Sequence, residues 1–436
     1  MDLARNSIIA FGGRAVSYAL MALGSLLLAR LLGPQARGEY ALLNSSTSIA
    51  AMLLTFGLGT SNAVLASRRQ IPANTLFLHS LLWGTLAGGL FLAVLWHWAP
   101  AFASLFLGDS PAAHVRLMAC AVPFYILFNC LLGLAQGLQR FALYSQANIL
   151  RALLFLVSFL ALFWLGWREV AAGLWAFVIS FAAAALLLLV LLFPARREKL
   201  SWDASAFEQQ LGFGWKIYLA ELFTFLLYRL DLVLVGYFWE ATQAGFYSII
   251  GLFAESLWFL AGSVGVVLLP SSGARQPGEM RVLAPRAVRL VFLLTSLCVS
   301  LLWQIDHLVV QAVFGERFLP AVLPLHLSYL GIVAMSLTKV IASYALGCGQ
   351  AQWNTTVSCL GLFSNLALNL WMIPRWGAAG AALAMSLSYS LMAILMVGWF
   401  RRFAGVTLHM MFILQTDDWR YGREKLEWVF NQLAAK

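Results

Sequence analysis

Four basic side chains interrupt runs of this sequence that are otherwise apolar: Arg14, Arg151, Lys216 and Lys339. Guanidinium and ammonium groups away from bulk water do one kind of chemistry well. They receive phosphate oxygens, and an arginine does so through two parallel hydrogen bonds. A second, mixed set comprises Ser48, Glu221, Arg229, Asp231 and Glu255. Its acids can bind a coupling proton or sodium ion, or they can neutralise the arginines. Other chemistry lacks a pattern to support it. The six histidines show no ligand spacing, and the five cysteines form no Cys-x-x-Cys pair, so no metal is expected. No Ser/His/Asp nucleophilic arrangement and no phosphate-cradling glycine loop of the ATPase type is present. The chain is therefore expected to be no enzyme and to need no cofactor beyond H+ or Na+ as coupling ion, its energy coming from a membrane gradient or from substrate turnover.

The elements that must hold these residues follow from composition. Of 436 residues, 62% are hydrophobic and only 11% are charged, and mean hydropathy is +0.83. So few charges cannot clothe a water-soluble surface. A soluble globular enzyme, a disordered chain and a nucleic-acid-binding module are all excluded, and a membrane protein of many spans is implied. About 20 apolar residues cross a bilayer. On that rule the sequence predicts an all-α integral membrane protein with twelve spans, over 7–32, 40–66, 75–99, 113–138, 143–165, 170–193, 213–238, 245–270, 287–314, 321–346, 351–373 and 378–400. Helices are required because lipid offers backbone groups no hydrogen-bond partner. The first apolar stretch is too long for a signal peptide and reads as a retained span.

The cations fix an orientation. With the N-terminus inside, Arg37, Arg116, Arg168, Arg317 and Arg375 fall outside, and Arg14, Arg30, Arg151, Lys216, Arg229 and Lys339 lie within spans. The other 17 of the 28 basic residues fall inside, which predicts that both termini are cytoplasmic. Arg14, Arg151, Lys216 and Lys339 then share the cytoplasmic half of the membrane. Such a group costs about 3 kcal/mol at a span's centre and is kept where it faces protein or water. Two readings stand: a site for an anionic headgroup, or side chains that snorkel to the inner surface. After span 12, Asp417 and Asp418 precede Trp419, Leu426, Val429, Phe430 and Leu433, which fall near one face of an amphipathic helix. This cytoplasmic tail either lies on the headgroups or is a surface segment with no specific role.

The chain also repeats itself. Gly38-Glu39-Tyr40 and Gly245-Phe246-Tyr247 lie 207 residues apart, as do Ala171-Ala172-Gly173 and Ala378-Ala379-Gly380. Gly137-Leu138-Gln139-Arg140 and Gly347-Cys348-Gly349-Gln350 lie 210 apart. The expected organisation is a six-span lobe over 1–194, a cytoplasmic linker over 195–212, a second six-span lobe over 213–403, and the tail over 404–436. Six spans is an even number, so the lobes enter the membrane the same way and are related by an axis along its normal, with a central cleft between them. Adding 207 to Arg14 gives Glu221, so the two are expected to face each other across that cleft. Subtracting 207 from Glu255 gives Ser48, which places polarity from spans 2 and 8 in the same cleft. Arg229 and Asp231, two apart, point to different sides of their helix. They serve either the cleft or contacts with neighbouring helices.

These residues resemble a known family. Ala29-Arg30-Leu31-Leu32-Gly33-Pro34 running to Gly38-Glu39-Tyr40 looks like a polysaccharide flippase junction between spans 1 and 2. So do Gln136-Gly137-Leu138-Gln139-Arg140-Phe141, Leu230-Asp231-Leu232-Val233-Leu234-Val235-Gly236 with Gly245-Phe246-Tyr247-Ser248 and Pro270, Phe314-Gly315-Glu316-Arg317-Phe318, Asn369, Ile373-Pro374 and Gly377 to Ala382. The chain resembles, over about 30–400, the O-antigen (Wzx-type) flippases of the multidrug/oligosaccharidyl-lipid/polysaccharide (MOP) exporter superfamily. That resemblance implies the MOP fold and a flippase that turns an oligosaccharide on undecaprenyl pyrophosphate from the inner to the outer leaflet of the bacterial inner membrane. It implies the bilayer and the polysaccharide polymerase and chain-length machinery as partners, and no nucleic acid. Gly33, Gly38, Gly137, Gly236 and Pro270 read as packing, turn and kink positions. The rival readings are a multidrug cation antiporter of the same fold, which should carry acids rather than cations in its cleft, and a membrane polymerase or ligase, which needs a larger external loop.

Overall fold

The computed structural model describes residues 2–106, 111–193, 200–274 and 277–415. Among them every regular element is helical. The helices are α1 (Asp2–Thr55), α2 (Leu58–Ser67), α3 (Ala73–Phe106), α4 (Ala112–Ala119), α5 (Ala121–Gly137), α6 (Phe141–Trp164), α7 (Val170–Leu192), α8 (Ala204–Phe238), α9 (Ala241–Ala274), α10 (Pro277–Phe314), α11 (Val322–Gly347), α12 (Ala351–Ala404) and α13 (Leu408–Phe412), with a 3-10 turn at Glu316–Ala321. All twelve expected spans fall on helices, and this is a multi-pass membrane protein.

Two helices carry two spans each. Helix α1 is broken at Gly33 (φ 82°) ahead of Pro34, and α12 at Gly377 (φ 54°) shortly after Pro374. Each break pairs a proline, which removes a backbone donor, with a residue free to adopt positive φ. Span 2 is interrupted near its end by Phe56 and Gly57, both at positive φ, so its last turns form α2. Residues 204–212, assigned to the linker on composition, are helical and continuous with span 7 in α8. The Asp203 carboxylate caps that helix by accepting from the Ser205 and Ala206 N–H groups. Helix also runs through most of 271–286, where the sequence reads as a loop.

The chain divides into two compact units. One holds 1–250, 307–325 and 366–382; the other holds 251–306, 326–365 and 383 onward. In the first unit, spans 1 and 5 pack through small residues: Gly13 makes room for Ser145, and Gly24 for the Phe155 ring. Close approach through small residues is how helices associate where lipid supplies no hydrophobic drive.

The repeat is visible in such contacts. Gly133 and Gly137 of span 4 sit against the backbone of Gly59 and Ala63 at the end of span 2. In the second unit, Gly347 of span 10 sits against the backbone of Leu269, and Gly265 against Ser343. Spans 10 and 8 thus repeat the contact between spans 4 and 2 at the offsets read from the sequence. The expected amphipathic helix after Asp417 lies outside the described residues. Before it, Arg289 donates to the Met410 carbonyl and Phe292 packs edge-on against Phe412, which ties α13 to the start of span 9.

Candidate functional site

Arg151 occupies an aromatic site inside the first unit. Its guanidinium carbon lies 4.9 Å from the centre of the Phe181 ring and 5.8 Å from that of Phe128. One terminal nitrogen reaches the Met21 sulfur at 2.7 Å, and the buried Nε has no hydrogen-bond partner. Spans 1, 4, 5 and 6 therefore hold the cation by its faces and leave donors free. Arg14 is two helical turns before Met21, on the same face of span 1 and about 10 Å along it. It is exposed, and the Ser17 hydroxyl donates to its carbonyl at 3.0 Å. Among the described residues no carboxylate pairs with either arginine. A span 5 arginine with a donor unspent and an aromatic wall behind it suits a phosphorylated ligand, and Arg14 adds a second, exposed cation two turns along the span 1 face that Arg151 meets.

Arg14 and Glu221 form no ion pair among the described residues. Thr60, on α2, donates to both Glu221 oxygens at 3.0 and 3.2 Å. The side chain of Lys216 lies outside the described residues. Ser48 is buried at 6% exposure in the first unit, beside Ser45 and Ser46, whose hydroxyls find no partner among the described residues. Glu255 lies in the second unit, half-buried, and so does Lys339, whose ammonium sits 5.2 Å from the Trp258 ring centre. Trp258 is one turn after Glu255 on span 8, and its indole N–H donates to the Ile332 carbonyl at 3.1 Å.

Asp231 is placed most fully. It is 2% exposed on span 7 and accepts from the Tyr247 hydroxyl of span 8 at 2.8 Å and from the Asn369 amide of span 11 at 2.7 Å. Three elements of the first unit thus converge on one carboxylate. Arg229, two residues earlier, is half-buried.

Two buried polar clusters escaped the sequence reading. Asp306, 2% exposed on span 9, accepts from the Tyr329 hydroxyl at 2.8 Å and lies 2.6 Å from His326 Nε2. An aspartate within the apolar run 287–314 was the available signal. The second cluster joins Asn62, Ser80, Gln210 and His79, all fully buried. Asn62 donates to Ser80 at 2.8 Å and to the Cys130 carbonyl at 2.9 Å, Gln210 donates to Asn62, and His79 Nδ1 lies 2.9 Å from Gln210 Oε1. No spacing rule links residues so far apart in the chain.

Solved structures share this fold. A lipid II flippase MurJ in an inward closed conformation superposes with a TM-score of 0.78 at 12% identity, covering 90% of this chain and 87% of that one. An inward-facing multidrug resistance MATE transporter of the MOP superfamily gives 0.72 at 16% identity, covering 89% and 94%. An uncharacterized membrane protein of Methanocaldococcus jannaschii is 23% identical over 47% of this chain, and the match spans only 41% of that relative's length. The helices described above thus share the fold of these two transporters. Residues 27–323 match the polysaccharide biosynthesis protein family, and the chain belongs to it.

Proposed function

We propose that this protein moves an oligosaccharide carried on undecaprenyl pyrophosphate from the cytoplasmic to the outer leaflet of the bacterial cytoplasmic membrane, for assembly of a surface polysaccharide. The observation that carries this reading is the arginine pair. Arg14 lies on span 1 and Arg151 reaches that span from span 5 at Met21, neither pairs with a carboxylate among the described residues, and Arg151 keeps its Nε unbonded within an aromatic wall. A pyrophosphate supplies the oxygens those donors lack. The sequence assigns Lys216 and Lys339 to the same cytoplasmic half of the membrane as the arginines, in the orientation given by the positive-inside bias with both termini cytoplasmic. The family match supports a role in polysaccharide synthesis. The fold shared with a lipid II flippase supports a lipid-linked cargo moved by alternating access, without catalysis on the cargo. Asp231, Glu221 and Glu255 are the candidates for binding a coupling ion, a proton or sodium. A polymerase and chain-length machinery receive the cargo on the far side.

The decisive experiment deletes the gene and assays lipid-linked repeat units by leaflet. Accumulation on the cytoplasmic side, relieved by the wild-type gene, supports the reading; unchanged distribution overturns it. Charge reversal tests the site. Arg14→Glu is expected to abolish surface polysaccharide at normal protein level, and full activity in that variant removes Arg14 from the site.

A further inference from the structure

Asp306, His326 and Tyr329 form a buried ionisable cluster in the second unit, apart from the arginine pair and from Asp231. Both partners meet one oxygen of the Asp306 carboxylate: the Tyr329 hydroxyl at 2.8 Å and His326 Nε2 at 2.6 Å. The Asp306 side chain is 3% exposed and that of His326 is 27% exposed, so the imidazole is the more accessible of the two. Trp303 lies flat on the imidazole, ring centres 4.5 Å apart and planes 6° apart. An indole face favours the cationic ring over the neutral one.

The internal repeat shows what this interface needs for packing alone. The offset of 207 relates Trp303 to Trp96 and Asp306 to Ala99, and the span 4 to span 10 offset of 210 relates His326 to Arg116 and Tyr329 to Ala119. In the first half, the Arg116 guanidinium carbon lies 5.7 Å from the Trp96 ring centre, and its Nε donates to the Trp96 carbonyl at 3.1 Å. Ala99 and Ala119 are buried there at 0% and 2% exposure. Both halves therefore set a basic side chain on an equivalent tryptophan. The first half uses an arginine and fills the space behind with two methyl groups. The second uses an imidazole and puts a carboxylate and a phenol behind it. Helix packing does not require those groups, since the equivalent interface closes with alanines. Buried ionisable groups within a span are retained at a cost of several kcal/mol and mark function.

We propose that Asp306, His326 and Tyr329 constitute a proton-binding site that ties span 9 to span 10 when the imidazole is charged and loosens that contact when the proton leaves. The ligand is the proton, and the two helices are the responding element. The titratable groups at the site are Asp306 from span 9 and His326 and Tyr329 from span 10. Span 12 packs on span 10 here through Ser386, whose hydroxyl donates to the Leu327 carbonyl at 2.5 Å and accepts from the Gly331 N–H at 3.1 Å. His307, next along span 9, is exposed. This inference goes beyond the cargo reading and stands or falls without it.

The test uses the full-length protein in lipid nanodiscs, with no cargo. Trp303 emission, taken as the difference between wild type and Trp303→Phe, is followed from pH 4.5 to 9. Hydrogen exchange of spans 9 and 10 is followed over the same range. Wild type is expected to show one sigmoidal transition, with faster exchange above it, and His326→Gln is expected to be flat. Asp306→Asn should displace the midpoint, because an opposing charge in contact is lost. Tyr329→Phe keeps the carboxylate and frees its charge for the imidazole, so it should move the midpoint up and serves where Asp306→Asn fails to fold. A flat wild-type titration by both readouts overturns the proposal. A transition that ignores both Asp306→Asn and Tyr329→Phe overturns it equally.

Discussion

Gly38 and Gly245 pack backbone against backbone, and the contact is reciprocal. A methyl group on Gly38 would overlap the carbonyl of Ala241, four residues before Gly245, and one on Gly245 would overlap the carbonyl of Pro34, four residues before Gly38. The pairs Pro34/Ala241 and Gly38/Gly245 are both 207 apart. The repeat therefore makes a self-complementary contact between its own equivalent segments, as a two-fold axis requires. Beside it, Arg37 donates to the Ser248 hydroxyl at 3.0 Å, and Arg30 donates to the Ala312 and Val313 carbonyls.

Gly38→Ala and Gly245→Ala should each destabilise the protein by about 1–3 kcal/mol through overpacking. Because both methyl groups part the same two backbones, the double variant should cost less than the sum of the singles. Thermal unfolding of purified protein checks this. Strict additivity would mean that the contact is not shared.

Arg151 separates charge from geometry. Lysine keeps the charge but loses the flat fork and the fit between Phe128 and Phe181. If the arginine grips a pyrophosphate, Arg151→Lys should lower export of surface polysaccharide about tenfold, the scale of one lost charge-assisted hydrogen bond. Arg14→Lys, at an exposed position, should be milder. Radiolabelled repeat-unit transport at matched protein level measures both.

How far the sequence reaches is clear from these residues. The spans were legible because apolar length is a local property, and the equivalence of Gly38 with Gly245 because the repeat kept its spacing. The breaks at Gly33 and Gly377 were marked by nearby prolines. Partners across helices were not legible. The Thr60 hydroxyl on the Glu221 carboxylate was not legible, since an offset gives equivalence within a repeat and says nothing about which rotations bring two side chains together. Asp231 stood out as an acid in a signature, but its donors Tyr247 and Asn369 come from other spans. Asp306 sat unremarked in an apolar run until His326 was found beside it.

The Asp231 cluster should respond to which partner is changed. Tyr247→Phe removes one hydrogen bond to a charged group, a loss of about 1.5–3 kcal/mol. Asp231→Ala removes both hydrogen bonds at once and should cost more. Asn369→Asp sets a second carboxylate against the first, so the variant should be stable only where a cation or a proton joins the pair. Its melting temperature should therefore rise as pH falls or as sodium is added, against a nearly flat wild type. Equal behaviour of Asn369→Asp and wild type across both series would show that Asp231 carries no charge.

The chain from Asn62 through Gln210 to His79 fastens the start of α8 to spans 2 and 3. All three residues are fully buried, and Trp202 and Phe207 pack edge-on against His79 at 4.7 and 5.2 Å between ring centres. Asn62→Leu strands the Gln210 amide N–H in a dry site, a penalty of about 1–3 kcal/mol, while the Ser80 hydroxyl keeps its bond to the Leu76 carbonyl. That cost should fall on residues 203–211 first, because Gln210 loses a polar partner there while Phe207 and Leu211 hold the segment by apolar packing and Asp203 by its cap. The cap carries its own pH signature. The Ser205 hydroxyl, followed by the Ala206 and Ser205 N–H groups, holds the Asp203 carboxyl below the usual carboxylate range. Its contribution is complete above the ordinary aspartate value of about 4 and disappears as pH falls through the lowered one. Protection factors from hydrogen exchange at 204–207 should thus hold steady down to about pH 4 and fall below it. Asp203→Asn should remove that pH dependence while leaving the Asn62→Leu effect intact. If Asn62→Leu raised exchange throughout spans 2 and 3 and spared 203–211, the buried chain would be supporting the bundle itself rather than fastening the helix that enters it.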